Sequence, residues 1–233
     1  MKAQLLALGS LCISACGPRP SVESTCADLE GTLGGKPVIV VSAETSGSEC
    51  LRDVRGSVYV EGPGPVQLPT TRQIAGDLVL APELAALTAP ALQQVGRLVV
   101  TNTALQSIGL PKLRSVERLG LYRLPALTNL EAPELVSIDQ DLRVVGNDAL
   151  GAVTLPSLEH VGGTIDIADN RGLTPSRIWT PRLERADRVS IAGNREAVSC
   201  DPEVIGRWAA IRPANPLLSD VEFVLEGERC AGP

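Results

Sequence analysis

From Val58 onward the chain carries a repeating triplet, aliphatic at its first and third positions: Val58-Tyr59-Val60, Leu78-Val79-Leu80, Leu98-Val99-Val100, Leu119-Gly120-Leu121, Leu142-Arg143-Val144, Ile165-Asp166-Ile167 and Val189-Ser190-Ile191. The triplets start 20, 20, 21, 23, 23 and 24 residues apart. Prolines keep the same step at Pro69, Pro90, Pro111, Pro133, Pro156 and Pro181. So do the aliphatics that close each coil, Ile74, Val95, Val116, Ile138 and Val161, with Ala186 as a weak sixth. Three markers in one register define a solenoid, in which each coil buries its inner face only against its neighbours. Strand alternation turns the first and third residues of each triplet inward and the middle one outward. Stacked triplets predict a parallel sheet, one strand per coil, with strands about 4.8 Å apart.

The expected fold is therefore mainly β: a right-handed parallel β-helix or leucine-rich-repeat-like solenoid of about seven coils, with disulfide-closed caps and a short C-terminal cap helix. Aromatic residues make up only 2% of the chain, so Leu, Val, Ile and Ala must fill the core. Asn102, Asn147, Asn170 and Asn194 each precede a small or apolar residue by three positions. An inward asparagine at such a bend can satisfy backbone groups of the adjacent coil, and these residues are assigned to structure rather than catalysis.

At the N-terminus a single lysine precedes a short apolar run ending in Ile13-Ser14-Ala15-Cys16. The run is too brief to span a bilayer and suits a signal peptide. The four residues resemble a bacterial lipobox, with Cys16 as the lipidated cysteine; ordinary secretion with cleavage near Ala15 is the alternative. The expected organisation is a lipoprotein signal peptide over residues 1–15, a tether over 16–25 and the solenoid over 26–230. Acylation such as palmitate would hold the protein on a membrane of the bacterial cell envelope, expected to be the outer one. Removal of Lys2 with the signal leaves 20 basic against 27 acidic residues. That balance argues against a nucleic-acid partner.

Cys26, Cys50, Cys200 and Cys230 remain, and an even number in an exported chain implies disulfides. Solenoid ends need caps. The cysteines flank the first coil and the segment after the last, which points to Cys26–Cys50 and Cys200–Cys230. Zinc is rejected, because no cysteine pair has ligand spacing and His160 is the single histidine. Asp201 and Pro202 suit a helix start, with Val204, Ile205, Trp208 and Ile211 on one face and Val221–Leu225 as a following strand.

Cys26 through Cys50, followed by Val54-Arg55-Gly56-Ser57-Val58-Tyr59-Val60, resembles the opening of receptor L domains, the ligand-binding modules of insulin- and EGF-receptor-type ectodomains. Asn194 through Cys200, with Trp208 eight residues on, is similar to the family's ending. The resemblance covers essentially residues 26–230 and implies a binding module. It departs in the first cap, where Gly31, Gly34 and Gly35 weaken the helix that the resemblance implies.

No catalytic constellation stands out. His160 is read as a surface or structural imidazole. Val161-Gly162-Gly163-Thr164-Ile165-Asp166 places isoleucine where a calcium-binding nonapeptide needs glycine. Asp139, Asp141, Asp148, Asp166 and Asp169 are read as scattered surface charge. No metal, no cofactor and no enzymatic activity are expected.

The informative surface is the outward sheet face. There Tyr59, Val79, Val99 and Tyr122 form an apolar patch bordered by Arg97, Arg118 and Arg143. Tyr and Arg are favoured interface anchors. The competing reading is a solvated face with Asp77/Arg97 and Arg118/Asp141 paired across coils. The expected function is a binding or adhesion module recognising a protein or glycan through this face. The alternatives are a structural envelope lipoprotein and, third, a glycan-acting enzyme.

Overall fold

The computed structural model describes residues 30–33, 36–43, 48–101, 103–195, 208, 211–214 and 221–225. It is a parallel β-solenoid. The main sheet runs, in spatial order, through the strands Glu30–Leu33, Lys36–Ser42, Ser57–Glu61, Gln73–Leu80, Gln94–Thr101, Ser115–Tyr122, Leu142–Val145, Thr164–Ala168, Arg188–Ala192 and Glu222–Leu225. The predicted register holds: Val58 lies opposite Leu78, Leu98 opposite Leu119, Leu119 opposite Leu142, Leu142 opposite Ile165, and Ile165 opposite Val189.

The sheet also extends past the repeat, by two strands at its N-terminal end and one at its C-terminal end. Val38–Ser42 pairs with Ser57–Glu61, and Glu222–Leu225 pairs with the last triplet strand. Where the L-domain resemblance implies a cap helix, the chain instead forms a hairpin, with Glu30–Leu33 antiparallel to Lys36–Ser42. Glycine disfavours helix there, and the run Val38-Ile39-Val40-Val41 prefers a strand.

The first and third residues of every predicted triplet are buried, none more than 7% exposed. The closing aliphatics form a second ladder, in which Val54 aligns next to Ile74, then Val95, Val116, Ile138 and Val161. Arg185, beside Ala186, continues it by bridging His160 and Arg212. A third side consists of two short parallel sheets, Val66-Leu87-Ile108 and Leu130-Val153-Ile178. One aliphatic core, from Val41 to Ile211, fills the interior, and buried Trp208 belongs to it. Apart from Trp208 and Ile211, the residues of the predicted cap helix, together with Cys12, Cys16, Cys26, Cys200, Cys230 and Asn102, lie outside the described residues.

Half of the drift in repeat length lies at one bend. The next inward leucine after Leu80 is Leu84, four positions on, and after Val100 it is Leu105, five positions on. The equivalent leucines Leu127, Leu150 and Leu173 lie six positions beyond Leu121, Val144 and Ile167, with buried Leu124 inside the first of these bends. The coils grow at the bend that follows the triplet.

In the longer bends the asparagines do what the sequence implies. Asn147 and Asn170 are fully buried. Asn147 Oδ1 accepts from the Leu124 amide at 2.9 Å, and its Nδ2 donates to the Leu121 carbonyl at 3.1 Å. Asn170 repeats both bonds one coil on, accepting from Asn147 N and donating to Val144 O, each at 2.9 Å. Asn194 does the same for Asn170 N at 3.1 Å and Ile167 O at 2.8 Å. In the shorter third coil the buried polar residue is Thr103, whose hydroxyl accepts from Leu105 N at 3.3 Å.

Candidate functional site

Two surfaces meet at Tyr122: the outward sheet face and the bend beside it. On the face, Tyr59 sits opposite Val79, Val99 opposite Gly120, and Gly120 opposite Arg143. Val99 is 39% exposed, while Tyr59, Val79 and Tyr122 are half-buried. Gly120 is the exception among the outward middle positions, because it is buried. A Cβ there would lie 2.7 Å from Cε2 of Tyr122, so the tyrosine ring lies across the glycine. The absent side chain makes room for the aromatic one.

Burial raises the Tyr59 phenol above its ordinary pKa, and the carboxylates of Glu83 and Glu61 push it further. That end of the patch therefore has an acidic surround.

The three predicted arginine anchors are engaged within the chain. Arg97 makes a two-pronged contact to Asp77, with Nε–Oδ1 at 2.7 Å and Nη2–Oδ2 at 2.6 Å. The hydrogen bond to Asp77, with its charge, raises the Arg97 pKa. Arg118 and Arg143 share Asp141, at 3.6 and 3.3 Å, and Asp141 also accepts from Thr164 N at 3.0 Å. Arg118 donates to Gln140 Oε1 at 2.5 Å as well, and Gln140 in turn donates to Glu117. Cross-coil charge pairing thus accompanies the apolar row.

The second surface was not picked out from the sequence. Two residues past each of the last four triplets, Arg123, Gly146, Asp169 and Gly193 form a column in the left-handed region, with φ of 53°, 72°, 56° and 61°. Glycine and aspartate tolerate that region well, and arginine does so rarely. Beside the column runs an open groove of about 570 Å³, lined by Thr101, Tyr122, Arg123, Val145, Gly146, Asp148, Asp169, Arg171 and Gly193. The sequence did hold a signal for it, since the lengthened repeat and the Gly146-Asn147 and Gly193-Asn194 pairs mark these bends.

The remaining candidates do not converge. Among the described residues no three His, Cys, Asp or Glu side chains gather to hold a metal. His160 stands in the closing ladder opposite Ser137, with its Nδ1 buried and lacking a hydrogen bond among the described residues. No described helix is long and apolar enough to cross a membrane.

By fold the chain is a parallel β-solenoid with an aliphatic core. Comparison with family models, with curated proteins and with solved structures finds no match.

Proposed function

We propose that this protein is a non-enzymatic binding or adhesion module displayed on the bacterial envelope, recognising a partner through its outward sheet face. The observation that carries the reading is the apolar patch of Tyr59, Val79 and Val99, with the Tyr122 ring lying across Gly120, on strands fixed by a fully buried aliphatic ladder. Rigid aromatic residues on a preorganised surface bind with little loss of side-chain freedom. The test is capture from envelope extracts by the wild-type protein against Val99→Lys and Tyr59→Ala. Loss of a captured partner in both variants, with melting temperature unchanged, supports the reading. Capture indifferent to both variants sinks it.

A structural envelope lipoprotein without a specific ligand is the second reading. It is favoured by the way Asp77 and Asp141 engage the arginines of the same face.

The finer architecture follows the same proposal. The mature chain begins at Cys16, carries acyl groups there, and has a right-handed coil resembling a receptor L domain. Cys50 is half-buried beside the core and disulfide-bonded, which supports closure of the first cap through Cys26. Cys200–Cys230 closes the other end around a short helix bearing Trp208. Cys16→Ser should abolish acyl labelling and release the protein from membranes; labelling that persists rejects the lipobox.

A further inference from the structure

The groove beside Tyr122 differs from the sheet face in what the fold leaves unused. On the face, Arg97, Arg118 and Arg143 are tied to aspartates. In the groove, Arg123 and Asp169 take part in none of the ion pairs among the described residues, and Arg171 meets Asp148 only at 3.9 Å with both side chains well exposed. Two guanidinium and two carboxylate groups therefore line one cleft with no net charge. Such a set suits neither a polyanion nor a polycation. It suits a neutral ligand rich in hydroxyls, because carboxylates accept and guanidinium groups donate in pairs.

The shape agrees with that chemistry. Tyr122, lying across Gly120, gives one wall an aromatic surface on which the C–H face of a sugar ring can rest. Gly146 lines the groove, and the nearest atom a Cβ there would meet is Arg123 Cγ at 3.4 Å, an ordinary van der Waals contact. Directly after Gly146, buried Asn147 pins the backbone to both adjacent coils. Successive coils are about 4.8 Å apart, close to the length of one pyranose unit, so a chain of sugars along the rod meets equivalent positions. Backbone held in the left-handed region at a non-glycine residue, as at Arg123, concentrates at ligand sites.

We propose that this groove binds an uncharged linear polysaccharide, one sugar over Gly146 against Tyr122 and the next ones following the coil axis. The proposal rests on the binding-module reading and adds to it a second surface and a ligand class.

The test is native gel electrophoresis of the protein through gels containing hydroxyethylcellulose, xyloglucan, soluble starch, dextran or glycol chitin. Retardation is expected in at least one gel, and it should persist when salt is raised, since no net charge is neutralised. Tyr122→Phe keeps the ring and should bind as wild type. Tyr122→Ala should weaken binding about tenfold or more. Gly146→Asn, a residue that tolerates the left-handed region, adds a side chain to the groove lining and should do the same with melting temperature unchanged.

Absence of retardation in every gel overturns the proposal. So does retardation that Gly146→Asn leaves intact, or that salt abolishes. A partner captured from envelope extracts and lost with Val99→Lys, without retardation in any gel, rejects the glycan groove alone and leaves the binding-module reading standing.

Discussion

Asn170 shows how much a single side chain can hold in a fold built from repeats. Its amide satisfies Asn147 N, Asn147 Nδ2 and Val144 O, and it receives no help from solvent. Asn170→Ala strands Asn147 N and takes the side-chain donor from Val144 O in the core, and should cost on the order of 3 kcal/mol in urea unfolding. Asn170→Asp should be no better, because a carboxylate cannot donate to Val144 O and would be a buried charge. Position in the repeat, an asparagine before an inward leucine, is enough to read this role from sequence.

The state of Tyr59 was not legible in that way, because it depends on which side chains the coil brings alongside. Its folded pKa is raised, so the stability this group contributes is present below about pH 10 and is lost as pH rises through the folded value. The chain has 2 tyrosines, so Tyr122→Phe leaves Tyr59 alone to be followed by ultraviolet absorbance. Its ionisation should fall above the ordinary tyrosine range, and Glu83→Gln should lower it. An unshifted titration contradicts the burial.

For the strands, periodicity carried nearly everything. Alternation named each inward residue because a one-residue slip would expose the whole aliphatic set. The bends were harder to read, since their conformation depends on contacts across coils. At Gly96 a Cβ would lie 2.6 Å from the carbonyl oxygens of both Ala75 and Gly76, backbone of the preceding coil. Gly96→Ala should therefore destabilise by about 1–3 kcal/mol through overpacking, although alanine is usually the milder residue. Leu121→Ala fails for the opposite reason: it leaves a void in the ladder and should cost about 2–5 kcal/mol. Both are read by denaturant midpoints, and a neutral Gly96→Ala would show that the coils can separate locally.

Taken whole, the molecule is a stack whose interior is aliphatic and whose chemistry is confined to its rims. The interior was legible because burial imposes a pattern on sequence. Surface function imposes none that a single chain reveals. The outward patch was named from strand alternation and from its Tyr and Arg content, whereas Arg123, Arg171 and Gly146 were passed over because their significance lies in neighbours 23 to 25 residues away. The paired arginines were legible in part: coil register already offered Asp77/Arg97 and Arg118/Asp141 as pairs, and the structure adds that Arg143 shares Asp141.

The asparagine ladder has a direction, and direction makes the coil a unit of growth. Each asparagine serves the coil before it and is served by the one after, so residues 142–164 carry both halves of the contract. A second copy inserted after residue 164 would meet matching partners on both sides, as duplication of that stretch in the gene would. Such a lengthened chain should fold and melt no lower than the original. A copy of residues 78–97 placed at the same point should melt lower, because it brings Ala81 where the adjacent coil needs an amide side chain. Equal melting of the two insertions would show that the aliphatic stack alone sets the order of the coils.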